Sequence, residues 1–184
     1  MAATLALAAE HGPQGLRMDA IAKRAGVSKE TLYRWWRSKA DVLLEALAER
    51  GEETIPVPDS GSLHTDLRAF MRATAESADE PTRRILRALA AEAAADQELA
   101  TLVRERFIER RRAALGEVLG RAVERGELTH AEADTALDLV FGSLWYRLIF
   151  GIGPLDEDWA ESVASAVGRI SGRFGSGDPG YPKT

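Results

Sequence analysis

Apolar residues recur along this chain at intervals of three and four, and no segment keeps the alternation of a half-buried strand. The pattern predicts an all-α fold of about nine helices. Residues 4–11 form a short apolar helix closed by Gly12-Pro13. Residues 18–25 follow, with Ile21, Ala22 and Ala25 on one face and Gly26 as the stop. Ser28 caps a helix over 29–36, and Ser38 with Asp41 opens another whose stripe is Val42, Leu43, Ala46 and Leu47. Residues 51–61 (GEETIPVPDSG) read as a junction. Beyond it the periodicity gives five helices: 63–77, one with Pro81 in its first turn, a long one over 97–125, one from the Thr129–Glu132 box to about 150, and a last one capped by Asp156. The domains expected are a three-helix head at 1–50, the junction, a helical body at 62–174, and a disordered tail at 175–184.

Charge changes the picture. The net charge of the 184 residues is −5, which by itself argues against a nucleic-acid partner. Residues 1–50, however, hold eight basic and six acidic side chains, whereas the rest hold sixteen and twenty-three. Residues 17–39 alone carry seven basic against two acidic. A basic head on an acidic body implies two tasks. The absence of cysteine excludes disulfides, thiolate zinc sites and thiol nucleophiles, and fits a cytoplasmic protein. The most apolar stretch, 139–155, is interrupted by Arg147 and does not span a membrane; residues 1–9 lack the basic start of a signal peptide.

The head carries the most specific signal. Ala25-Gly26-Val27-Ser28 joins two short helices at helix-turn-helix spacing. Ala25 permits close approach, Gly26 allows the left-handed turn, Val27 fills the interior and Ser28 caps the second helix. Ile21, Leu32 and Trp36 are the expected head core. The run 21–39 (IAKRAGVSKETLYRWWRSK) resembles the TetR family of transcriptional regulators, through its IA-x-x-AGVS turn, its T-L-Y, the aromatic three residues after that Tyr, and the S-K opening the next helix. The resemblance implies that Tyr33 and Lys39 grip phosphates, with the Ser38–Asp41 cap aimed at the same backbone. It places Ser28, Lys29, Glu30, Thr31 and Arg34 at the DNA, with Arg34 suited to a bidentate contact to guanine. Trp35 stands where a histidine is common, Glu30 where a small residue is usual, and Met18-Asp19 replaces a Thr-rich cap.

One such head reads few base pairs, so a palindromic site on double-stranded DNA calls for a homodimer. Residues 137–150 are apolar almost all round, as in a helix buried on two sides. With the last helix they supply the expected dimer residues Val140, Leu144, Arg147, Leu148, Trp159, Val163, Val167 and Ile170. The resemblance implies a four-helix bundle there and a small-molecule effector in the body. Phe70, Met71, Thr74, Leu89, Phe107, Phe141, Trp145 and Tyr146 are the candidate pocket residues, with ordinary core as their alternative role. Arg147 is expected in a structural ion pair, or else across the dimer or on an anionic ligand. Arg110-Arg111-Arg112 is expected to be a solvated face.

No enzyme is expected. His11, His64 and His130 lack metal spacing, and there is no phosphate loop or nucleophile elbow. Glu92, Asp96 and Glu98 flank a helix start, where acids are favoured. Neither cofactor nor metal is called for. The sequence thus predicts a DNA-binding regulator, a repressor released by an effector; the alternative is a dimer that binds small molecules or proteins and whose head does not read DNA.

Overall fold

Six helices begin where a side chain takes over the first free amides. Thr31 N–H donates to Ser28 Oγ at 3.2 Å, Asp41 N–H to Ser38 Oγ at 3.1 Å, and Thr82 N–H to Asp79 Oδ1 at 2.9 Å. Leu99 N–H donates to Asp96 Oδ1 at 3.1 Å and Trp159 N–H to Asp156 Oδ1 at 2.9 Å. Thr129 and Glu132 satisfy each other's backbone in a full capping box. At the second of these caps, Asp41 accepts from the amide of Arg37 (3.2 Å), one residue ahead of Ser38.

In this computed structural model, residues 1–170 are described, so the tail expected at 175–184 and the last residues of the body lie outside the described residues. The described elements are α1 (Ala2–Gly15), α2 (Met18–Ala25), α3 (Lys29–Trp35), α4 (Lys39–Thr54), α5 (Leu63–Ser77), α6 (Glu80–Ala93), α7 (Gln97–Val103), α8 (Glu109–Glu124), α9 (His130–Phe150) and α10 (Glu157–Ile170). A π-helical turn, Arg104–Ile108, joins α7 to α8. Because these three run on as one rod, the described residues form nine helices and no strand.

One expected break falls inside a helix: Gly51 lies buried within α4. At Gly12 the backbone leaves the helical region (φ 72°, ψ 166°), so α1 is two helical pieces meeting at a kink, as Gly12-Pro13 predicts. Alanines set the spacing where head meets body: Ala8, Ala46 and Ala48 are at most 1% exposed, and α1 packs against both α4 and α6. In the body, α10 lies along α5, and α8 packs on α5 and α9 around Leu67, Phe70, Met71, Leu115, Val118, Leu119 and Val167. Each of these larger side chains contributes about 1.5–3 kcal/mol by leaving water.

Candidate nucleic-acid interface and the cavity behind it

The turn between α2 and α3 follows from local chemistry. Gly26 takes φ 68°, ψ 28°; its amide donates to Lys23 O at 3.4 Å and that of Val27 to Ala22 O at 3.1 Å, the two bonds of a Schellman stop. Ile21 and Leu32 fill the interior, with Trp36 half-buried against them. Val27 does not fill it. Its amide is held by the stop, so its side chain stays at the surface, 41% exposed. Gly26→Ala puts a Cβ into the left-handed region and is expected to lower stability by about 1–2 kcal/mol in urea denaturation.

Turned this way, α3 presents its polar side. Lys29, Glu30, Tyr33, Arg34 and Trp35 are exposed, as is the capping Ser28, with Thr31 partly so. Lys29 Nζ lies 2.6 Å from Asp19 Oδ1 and 5.8 Å from the Tyr33 ring; the hydrogen bond to Asp19, then its charge, raises the lysine pKa. The Glu30 carboxylate folds back onto its own amide and Ser28, which lowers its pKa and keeps it ionised. Arg34 has neither hydrogen bond nor ion pair among the described residues, so its five donors are available. Lys39 Nζ donates to Gln14 O at 2.7 Å, at the end of α1.

Behind this surface α4 is clamped to the body by a ladder of charges. Arg106 Nε, in the π turn, lies 3.4 Å from the buried Asp41 carboxylate. One helical turn on, Arg110 binds Glu45 at 2.8 Å and Glu52 at 2.7 Å, and these hydrogen bonds raise its pKa despite partial desolvation. Arg50 reaches Asp79, the cap of α6, at 2.9 Å. The three consecutive arginines therefore do not share a solvated face. Three successive helical positions sweep about 200° of the circumference, so while Arg110 pairs with α4 and Arg112 with Asp138 at 3.1 Å, Arg111 points inward and is 6% exposed.

Arg111 enters a cavity of about 70 Å³ walled by Leu47 and Gly51 of α4, Thr74 of α5, Leu86 of α6, Phe107 and Ile108 of the π turn, and Phe141, Leu144, Trp145 and Leu148 of α9. Of the expected pocket residues, Thr74, Phe107, Phe141 and Trp145 line this space, and Leu89 lines a second cavity of about 350 Å³ beyond Phe107 and Trp145. Phe70 and Met71 do not line it; they are packed into the core at 1% and 0% exposure. Tyr146 is 54% exposed on the far side of α9. Arg111 itself was not among the expected residues. The i, i+4 series Phe107, Arg111, Leu115, Leu119 is the signal that places it on the buried face.

The expected dimer residues also divide. Val140, Leu148, Trp159 and Val167 are at most 3% exposed within the protomer, Leu144 faces the cavity, and Val163 and Ile170 are half-buried. Arg147 makes no ion pair among the described residues: its Nη1 donates to Ile152 O (3.4 Å) and Pro154 O (3.2 Å), closing the turn after α9. The outward face of α9 is instead Leu139, Gly142, Tyr146, Ile149 and Phe150, with the Tyr146 and Phe150 rings 5.7 Å apart. Among the described residues, no helix is long and apolar enough to cross a membrane, and no group of three or more His, Asp or Glu is placed to hold a metal.

Residues 1–46 match the model of bacterial regulatory proteins of the tetR family, and residues 57–167 that of the tetracyclin repressor-like C-terminal domain. The uncharacterized HTH-type transcriptional regulator YdeS of Bacillus subtilis is 31% identical over 164 residues, 89% of this chain and 83% of that protein. The DNA-binding transcriptional repressor TetR of Mycobacteroides abscessus is 31% identical over 160 residues, 85% and 83% of the two chains. The crystal structure of the TetR family transcription regulator SCO0332 superposes with a TM-score of 0.80 at 31% identity, covering 91% of this chain and 93% of that one. Matched in head and body alike, the chain belongs to the TetR family of helix-turn-helix, DNA-binding transcriptional regulators.

Proposed function

We propose that the protein is a homodimeric repressor that holds a palindromic operator through two α3 helices and releases it when a small molecule enters the cavity. One observation carries this reading: α4 is at once the helix that follows α3 and a wall of the cavity, through Leu47 and Gly51. Cavity and head therefore share a rigid element, and a ligand that fits one placement of α4 better than another shifts the spacing of the heads. The repressor named among the relatives supports the direction of control. Lys29, Thr31 and the unpartnered Arg34 face the major groove; Glu30 tunes selectivity; Ser28, Tyr33, Trp35 and Lys39 meet or position the backbone. The exposed apolar stripe of α9 meets its two-fold copy, with α10 alongside.

The test is binding to the DNA upstream of the protein's own gene as a function of salt. Affinity is expected to fall steeply, and Lys39→Ala to flatten the log–log slope by about 1 for each protomer's lysine while leaving sequence preference unchanged. An unchanged slope removes Lys39 from the phosphate contacts. Absence of salt-dependent binding favours the alternative in which the head does not read DNA.

A further inference from the structure

Arginines are abundant on this body, and Arg111 is unlike its neighbours. Arg104, Arg106, Arg110 and Arg112 each face a carboxylate. Arg111 is 6% exposed, its Nη2 is buried without a hydrogen-bond partner, and it forms no ion pair among the described residues. What it has is the Phe70 ring, 5.2 Å from Cζ, and the backbone of Gly51, where a Cβ would stand 3.4 Å from Cδ and Nη1. Burial lowers its pKa, opposed only by the charge of Glu52, and Glu52 is already held by Arg110. A buried cation without a counter-charge is costly, and side chains in this state mark places where an anion completes the structure.

The rest of the wall narrows the chemistry. Thr74 Oγ1 donates to Phe70 O at 2.8 Å, Ser77 is hydrogen-bonded to Thr54 at 2.9 Å, and Arg50 is bound to Asp79, so these lining groups are already committed. Beyond them and Arg111, only Thr82, in the first turn of α6 beside its Asp79 cap, and the Trp145 indole are polar, and the remaining surface is hydrocarbon. The second, larger cavity is lined by leucines, alanines, Val103, Ile149 at the edge of the outward face of α9, and the shared partition of Leu86, Phe107, Ile108 and Trp145. One planar cation at one end and an apolar space running past an aromatic partition describe a ligand with one negative end and an apolar body. A guanidinium engages a carboxylate through two parallel hydrogen bonds. A dianionic phosphate would leave one charge unmatched.

We infer that the effector is an apolar monocarboxylate whose charged end is bound by Arg111 and whose body occupies the cavities on either side of Phe107 and Trp145. This rests on the cavity being the effector site. Binding places a second anion near Glu52, at the rung where Arg110 ties α8 to α4, so recognition of charge and release of the head share one helical turn.

Isothermal titration of the full-length protein with octanoate and 4-phenylbutanoate, against octanamide and 4-phenylbutanamide, tests it. At least one acid is expected to bind at least tenfold more tightly than its own amide. Arg111→Met is expected to bring that ratio to about one, to keep amide binding, and to raise the melting temperature by removing the unpaired charge. Equal binding of acid and amide by the native protein overturns the inference whatever the variant does. So does an acid preference that survives in Arg111→Met, and so does binding of none of the four. Operator release is measured in parallel. Acids that bind through Arg111 yet leave the operator complex intact defeat the effector reading and keep the anion site; amides that release DNA with no preference for acids do the reverse.

Discussion

Tyr146→Asp with Phe150→Asp is expected to yield a folded monomer that has lost its operator. These rings are 54% and 68% exposed, so neither substitution opens a hole in the protomer. Val140, Phe141 and Leu148 on the inner side of α9 continue to hold it against the body. Across a two-fold axis each substitution acts twice, exchanging aromatic area for carboxylates that face one another. Specific operator complexes have Kd values of about 10⁻⁸–10⁻¹¹ M, and non-specific ones about 10⁻⁴–10⁻⁶ M. A monomer keeping one head should therefore lose roughly a thousandfold or more. Sedimentation velocity at micromolar concentration reads the association and far-UV circular dichroism the fold. A variant that still sediments as a dimer removes the outward stripe of α9 from the interface.

Arg34→Ala has the second large effect, and of another kind. Arg34 is exposed on α3 without an internal partner, so its removal costs the protein nothing in folding. In the complex, a bidentate contact to guanine discriminates by about 1–3 kcal/mol, and a palindrome counts it in both half-sites. Sequences selected from a random pool by the variant should lose their preference at one symmetric pair of positions and keep it elsewhere. The salt slope should change little, which separates this residue from Lys39. If the selected sequences match those of the native protein, Arg34 does not contact a base.

The head was legible because its structure is written in neighbouring residues. Gly26 and Ser28 make their bonds within five positions of themselves, and so do Ser38 and Thr129. The body was legible as helices but not as faces. In 137–150 nearly every position is apolar, so periodicity carries no phase; Val140 and Leu148 went inward while Tyr146 and Phe150 stayed out. Arg111 was hidden by a run of like residues that reads as solvated, although three consecutive positions sweep about 200° of a helix and its buried face begins within that arc. The bonds of Arg147 to backbone oxygens after α9 depend on how the chain turns at Gly151 and Gly153, both at positive φ, and a backbone carbonyl has no residue type to mark it. The π turn has no sequence signature, and it emerged only with the packing of the rod on α4 and α6.

The pairing of Lys29 with Asp19 bears on how the protein searches a chromosome. A lysine already matched to a carboxylate gains little from any passing phosphate, since it gives up one anion to take another. On the proposed reading of α3, arbitrary DNA is therefore gripped less than the eight basic residues of the head imply. At the operator, the groove can offer Lys29 acceptors that compete with Asp19 only in the right register. On that reading Asp19 shortens dwell on wrong sites more than on the right one.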